Sequence, residues 1–121
     1  MAANQTILKS SVNTAIVKVA GSGSTTIVLS SLAASDEQVS GTPTVNILGV
    51  SWTGAVGAFF TITRNGVIII SGPCDQPFEM NFAGNGFTDS VGNTSDLVVN
   101  ITGGESQIYI TLRKVGGFSL A

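Results

Sequence analysis

The amino-acid sequence predicts a single all-β domain, an antiparallel β-sandwich of about eight strands with jelly-roll or related Greek-key topology. Short segments alternate between hydrophobic and polar residues, which is typical of strands with one buried face. Gly, Asn, Ser and Pro separate these segments at the positions expected of turns. No segment has the period of an amphipathic helix, and only residues 31–40 fit a helical turn. At 121 residues, the chain has room for one domain, residues 1–121.

The alternating segments give these strand candidates: residues 6–12, 15–20, 25–31, 44–52, 57–63, 67–72, 77–82, 96–102 and 107–115. The glycine-rich segment 103–106 lies between the last two and predicts a hairpin loop. Segment 44–52 changes its hydrophobic phase midway. A β-bulge near Gly49 would bring both halves of that segment to one face.

A second hairpin is predicted within residues 61–70, where the loop length has to be chosen. A two-residue Asn65-Gly66 turn would place Phe60 opposite Ser71. A three-residue loop that includes Arg64 instead pairs Phe60 with Ile70, and it also gives Gly66 the position that needs positive φ. We therefore predict the three-residue loop.

The period-two phase predicts the residues of the hydrophobic core. They are Ile27, Leu29, Val45, Ile47, Trp52, Phe60, Ile62, Ile68, Ile70, Phe78, Met80, Phe82, Leu97, Val99, Ile101, Ile108, Ile110 and Leu112.

The composition argues against several classes of function. The chain has no histidine, which removes the side chain best suited to proton transfer near neutral pH and the commonest ligand of catalytic zinc. Its five basic residues are scattered and its net charge is −2, so no basic stripe is available for nucleic acid. No apolar run is long enough to span a membrane, and no signal peptide is visible at the N-terminus. We expect no enzymatic activity, no cofactor and no bound metal.

The remaining candidates for chemistry also have simpler explanations. Cys74 follows a strand end beside Asp75, whose charge would raise the pKa of the thiol, so we interpret Cys74 as a buried loop residue. The carboxylate pairs Asp36/Glu37 and Asp75/Glu79 lack the basic and aromatic neighbours that would form a sugar cleft. The oxygen-rich segment 89–96 fits turn chemistry better than a calcium loop.

Two features indicate partners. Several apolar residues fall on the predicted outer faces of strands, where either a partner or the protein's own loops would cover them: Ile16, Phe59, Val67, Ile69 and Val98. The C-terminal segment 116–121 has the composition of an arm, which would dock either on a partner or on its own domain. As interface residues we select Phe59, Ile69, Phe118 and Leu120.

Four segments together resemble a group of small virion structural proteins of tailed bacteriophages, especially phages of marine bacteria and cyanobacteria. These segments are TAIVKVAGSGSTTIVLSSLA, TPTVNILGVSW, ITRNGVIIISG and SDLVVNITGGESQIYITLRKV. The resemblance implies a non-enzymatic part of a particle, made in the host cytoplasm and located in the virion. It carries no motif residues that could be transferred to this chain.

The function expected from this resemblance is capsid decoration, in which the protein clasps neighbouring copies of the major capsid protein and stabilises the shell. We expect a homotrimer that seats a flat, weakly charged surface on the lattice, where repetition supplies avidity. The alternatives are a tail, neck or fibre component and, from a different class, a carbohydrate-binding module. Such a module would expose aromatic residues on one sheet face, and Phe59 and Tyr109 are the candidates.

Overall fold

The computed structural model describes residues 3–11, 13–34, 36–76, 78–82 and 94–120. The elements are β1 (Asn4–Ser10), β2 (Thr14–Ile27), a 3-10 turn (Leu29–Leu32), β3 (Glu37–Gly54), β4 (Phe59–Arg64), β5 (Val67–Pro73), β6 (Phe78–Asn81) and β7 (Leu97–Leu120). All strand pairings are antiparallel. The predicted all-β antiparallel sandwich is therefore confirmed, with seven strands in the described part of the chain.

The last strand, β7, is the centre of the sheet. Its first half pairs with the end of β2 and with β4, and β4 in turn pairs with β5. Its second half pairs with the start of β2 and with β3, and these are flanked by β1 and β6. This divides the sheet into layer A (β1, β2, β7, β3 and β6) and layer B (β2, β7, β4 and β5).

The two layers pack face to face, and the strands β2 and β7 contribute to both of them. Trp52 of β3 contacts Phe60 of β4 across the interior, with ring centroids 4.7 Å apart, although β3 and β4 are not paired. Strands that pass from one layer to the other at a bend are a known way to close the corner of a sandwich.

The predicted hairpin at residues 103–106 is wrong, because the chain bends there without reversing. Residues 97–101 and 106–113 pair with the same strand, β2, in one continuous direction. Gly103 has φ of 75°, and a Cβ at this position would collide with the carbonyl of Gly57. Glycine was therefore the right signal for a sharp change of direction, but the change is the corner between the layers.

The predicted bulge in segment 44–52 is confirmed. In its pairing with β7, the register of β3 shifts between Ile47 and Gly49. As a result Ile47 and Trp52, which have opposite sequence parity, are both buried. Leu48 is the extra residue and stays half-buried.

The three-residue loop between β4 and β5 is also wrong. Arg64 pairs with Val67 across a two-residue turn, in which Asn65 and Gly66 have φ of 51° and 78°. These positive values are those of a type I′ hairpin turn. A register shift then leaves Ile69 as a bulge, so that Ile70 pairs with Ile62, in place of the predicted partner Phe60, which pairs with Gly72. A bulge in the strand has replaced the longer loop as the means of matching the apolar residues.

Most of the predicted core is buried: Ile27, Leu29, Val45, Ile47, Trp52, Phe60, Ile62, Ile70, Leu97, Val99, Ile101, Ile108, Ile110 and Leu112. Ile68 is a correction, because the bulge turns it outward and leaves it 60% exposed. Met80 and Phe82 are partly buried against the core. The side chain of Phe78 lies outside the described residues. The prediction omitted the buried residues Ala15, Val17 and Val19 of β2 and Val50 of β3.

Candidate interaction surface

The outer face of layer B carries no charged side chain among the described residues. Its cross-strand rows follow from the register: Pro73–Phe59–Thr102, Ser71–Thr61–Asn100–Ser24 and Ile68–Thr63–Val98–Thr26. All of these side chains are exposed or half-buried. We call this surface the uncharged face.

Large apolar side chains stand out of the uncharged face. Phe59 is 44% exposed at one end of the β4–β5 hairpin, and Ile68 is 60% exposed near the other end. Val67 beside the turn is 46% exposed, but it pairs with the inward-facing Arg64 and does not belong to the uncharged face. Because Phe59 and Ile68 lie at opposite ends of the hairpin, they form two separate apolar contacts on the face and not one continuous patch.

The strand β5 also has a free edge in the described part of the chain, because it pairs only with β4. Pro73 ends the strand, and its carbonyl accepts a hydrogen bond of 3.0 Å from the Trp52 indole. In the described part of the chain no strand pairs with the outer edge of residues 67–71, and these residues carry no charge, so two devices that ordinarily protect an edge strand are missing there. With respect to the described residues, this edge is therefore available to a further strand.

The four residues selected from the sequence as an interface do not come together. Phe59 lies on the uncharged face, and Ile69 lies at the β5 bulge, half-buried against the core. Phe118 and Leu120 lie in layer A, where they pair with Val39 and Glu37 of β3.

The C-terminal segment is therefore not a free arm on this structure. Residues 116–120 continue β7, and their backbone pairs with the beginning of β3. Phe118 is partly buried against the core, and the Lys114 ammonium lies 4.9 Å from the centre of its ring. Of the two alternatives, docking on its own domain is what the structure shows, because strand pairing satisfies backbone groups that an arm would leave to water.

A buried ion pair anchors this end of the sandwich. The Lys114 ammonium lies 2.6 Å from Glu37 Oε1 and donates to Ser10 Oγ at 2.8 Å, so it joins β7, β3 and β1. The side chains of Lys114 and Glu37 are 1% and 2% exposed. The hydrogen bonds from Lys114 and from the Ala34 amide lower the pKa of the Glu37 carboxyl.

Sequence reasoning missed the burial of Lys114 and Arg64, although the period-two signal was present. Lys114 continues the inward parity of Ile110 and Leu112, and Arg64 continues that of Ile62. Arg64 is fully buried, and its Nε donates to the Ser95 carbonyl at 2.9 Å. Both cationic side chains are buried in the interior, so fewer charged side chains remain for the surface.

Several residues that the sequence analysis weighed as sites of chemistry are held by contacts within the fold. Cys74 is buried, and burial is the main cause that raises the pKa of its thiol, with a smaller contribution from the charge of Asp75. The side chain of Glu37 is buried and paired with Lys114, whereas the neighbouring Asp36 is exposed. Asp96 Oδ1 accepts a hydrogen bond from the Leu29 amide at 2.9 Å, at the start of the 3-10 turn. Residues 89–93 of the segment weighed as a calcium loop lie outside the described residues.

Two structural features are absent from the residues that the structure describes. No helix there is long and apolar enough to cross a membrane. No group of three or more Cys, Asp or Glu side chains there is placed to hold a metal ion.

Comparison with known proteins finds no match: no family model, no curated protein and no solved structure is significantly similar to the chain.

Proposed function

We propose that this chain is a non-enzymatic structural protein of a virion, which decorates the capsid of a tailed bacteriophage and stabilises it by bridging capsid subunits. The resemblance of its strand segments to small phage virion proteins supplies the setting. The observation that carries the proposal is the uncharged face of layer B, a four-stranded surface from which Phe59 and Ile68 protrude.

The physics of this face suits a broad, dry contact. Removing threonine, serine and asparagine side chains from water costs little free energy when a partner supplies hydrogen bonds, whereas burying an unpaired charge costs much more. The exposed apolar residues contribute favourable free energy of binding, because their apolar surface is removed from water. A capsid lattice repeats such a contact many times, so that each one can be weak.

We further propose that the protein acts as a homotrimer and that its partner is the major capsid protein or another virion protein. The free, uncharged edge of β5 is where copies would pair, since pairing there brings no like charges together. For a trimer, that edge has to contact a different surface of the next copy, because a head-to-tail contact can close into a three-membered ring whereas β5-to-β5 pairing closes at two copies.

The test is binding of purified protein to capsids that lack it, followed by sedimentation. Ile68→Glu places a charge on the uncharged face at an exposed position, and we expect it to lower the capsid-bound fraction strongly. Leu8→Glu is the matched control, because Leu8 is 52% exposed on β1 in the other layer. We expect that variant to bind like the wild type.

Circular dichroism and thermal unfolding establish that both variants are folded. Equal binding by Ile68→Glu and the wild type would contradict the assignment of the uncharged face. Failure of the wild-type protein to bind any particle of its phage would contradict the proposed function.

A further inference from the structure

The outer face of layer A carries a trough of 420 Å³ that the proposed function does not use. Its floor is on β3, where Gly49 has no side chain and Ser51 has a short one. One wall is on β7, with Tyr109 and Thr111, and the other is on β6, with Glu79 and Asn81. The register places Tyr109, Ser51 and Glu79 in one row across the three strands, and Thr111, Gly49 and Asn81 in the next.

The local sequence explains why the face is concave here. A small residue at two successive outward positions of the central strand lowers the floor between two walls of larger residues. The β3 bulge ends this stretch at Leu48, whose carbonyl accepts a hydrogen bond of 2.7 Å from the Phe82 amide. Leu48 and Phe82 also line the trough, and they give it an apolar end.

The lining combines an aromatic ring with closely spaced polar groups. Tyr109 is half-buried, and its hydroxyl donates to Gln107 Oε1 at 3.2 Å, which orients the ring. The lining also includes two hydroxyls, one carboxylate and one amide, from Ser51, Thr111, Glu79 and Asn81. An apolar ring face beside several donors and acceptors complements a molecule that has both C–H faces and many hydroxyl groups.

The charge of the trough further restricts the chemical class of the ligand. Among the described residues that line it, Glu79 is the only charged one. The nearest cation by register is Lys18 of β2, which pairs with Tyr109 on the side away from Ser51 and does not line the trough. One carboxylate and no cation in the described lining disfavour phosphates and other anions, whereas a carboxylate is a strong acceptor for neutral hydroxyl groups. We propose that the trough is a binding site for neutral saccharides, formed by Tyr109 as the stacking residue and by Glu79 and Asn81 as the hydroxyl-binding residues.

The site binds without hydrolysing. Glycoside hydrolysis ordinarily uses two carboxyl groups on opposite sides of the scissile bond, and the described residues of this lining supply one. The trough also lies on the layer opposite the uncharged face. A chain seated on a capsid by layer B would therefore present the trough to the surrounding solution.

The test is a ¹⁵N–¹H NMR titration of the purified protein with glucose, galactose, mannose, N-acetylglucosamine and their disaccharides. We expect saturable shifts for at least one sugar at the amides of Gly49, Ser51 and Thr111. Inorganic phosphate is the contrasting probe and should leave these amides unchanged. The titration needs no capsid, so its outcome is independent of the proposed decoration function.

Substitutions test whether the sugar binds in the trough. Tyr109→Ala should weaken the affinity about tenfold, the loss expected when a stacking contact of about 1.4 kcal/mol is removed. Tyr109→Phe keeps the ring and should retain most of the affinity, and Glu79→Gln should weaken it. Phe59→Ala is the matched control, since it removes an exposed aromatic residue from the opposite layer. We expect it to bind like the wild type.

Three results would overturn the assignment. These are the absence of saturable shifts at the trough with every sugar, equal losses in Tyr109→Ala and Phe59→Ala, and shifts at the trough with phosphate in place of sugar.

Discussion

The substitution Ile110→Ala tests the packing of the core most sharply. Ile110 is fully buried in the middle of β7, where it pairs with Val17 of β2 on one side and Val50 of β3 on the other. The substitution removes three carbon atoms, which at about 0.8 kcal/mol each gives about 2.4 kcal/mol for the lost transfer free energy. Because neighbours on both sides are held by strand pairing, a cavity cost adds to this. We expect a total loss of about 2–5 kcal/mol in the free energy of unfolding.

The matched control is Ile68→Ala, the same substitution at a residue that the alternating pattern also places in the core. The bulge at Ile69 leaves Ile68 60% exposed, so we expect a change within about 0.5 kcal/mol. The assay is equilibrium unfolding in urea, followed by the fluorescence of Trp52, the single tryptophan, which is 8% exposed. Comparable losses in the two variants would refute the bulged register of β5.

Two further predictions concern the end of the sandwich that Lys114 anchors. Because the folded-state pKa of Glu37 is lowered, its ion pair stabilises the fold above the unfolded pKa of about 4.3, and this contribution is lost as the pH falls through the folded value. Lys114→Met should therefore lower stability more at about pH 7 than at about pH 3, and equal losses in urea unfolding at both values would count against the buried pair. Deleting residues 116–121 should lower the melting temperature, since it removes strand pairing with β3 and the packing of Phe118. An unchanged melting temperature would show that this segment does not dock on its own domain.

Short-range features of the fold were predictable from the sequence where one signal decided them. The phase change in segment 44–52 admitted one simple solution, and the bulge beside Gly49 is that solution. The hairpin at Asn65-Gly66 had two possible solutions. A longer loop and a bulge at Ile69 both bring Ile62 opposite an isoleucine, and hydrophobic alternation cannot distinguish them.

Long-range pairing was not predictable in the same way. Alternation on both sides of Gly103 is the same whether the chain reverses or continues into a second layer. The choice depends on which strands lie beside β7, and periodicity carries no information on that. The uncharged face was not predictable either, because it also depends on long-range strand pairing. The sequence showed that charges were few, but the pairing of β2, β7, β4 and β5 decides that none of the described ones points outward from layer B.

The trough was partly visible in the sequence. The alternation predicts that Tyr109 lies on an outer face, whereas the sequence relates Glu79 only to its neighbour Asp75. The register brings Glu79 into a row with Ser51 and Tyr109, across strands that are distant in sequence. Phe59, the other aromatic candidate, lies on the opposite layer, so the two do not form one platform.

The most direct test of the proposed function is the copy number of this chain in purified particles of the phage that the proposal implies. Quantitative mass spectrometry against isotope-labelled peptides, with the major capsid protein as the internal standard, measures it. A decoration protein that repeats with the capsid lattice should be present in hundreds of copies per particle, in fixed ratio to the capsid protein. A handful of copies would assign the chain to the tail, neck or fibre, and its absence from the particle would contradict a structural role in the virion.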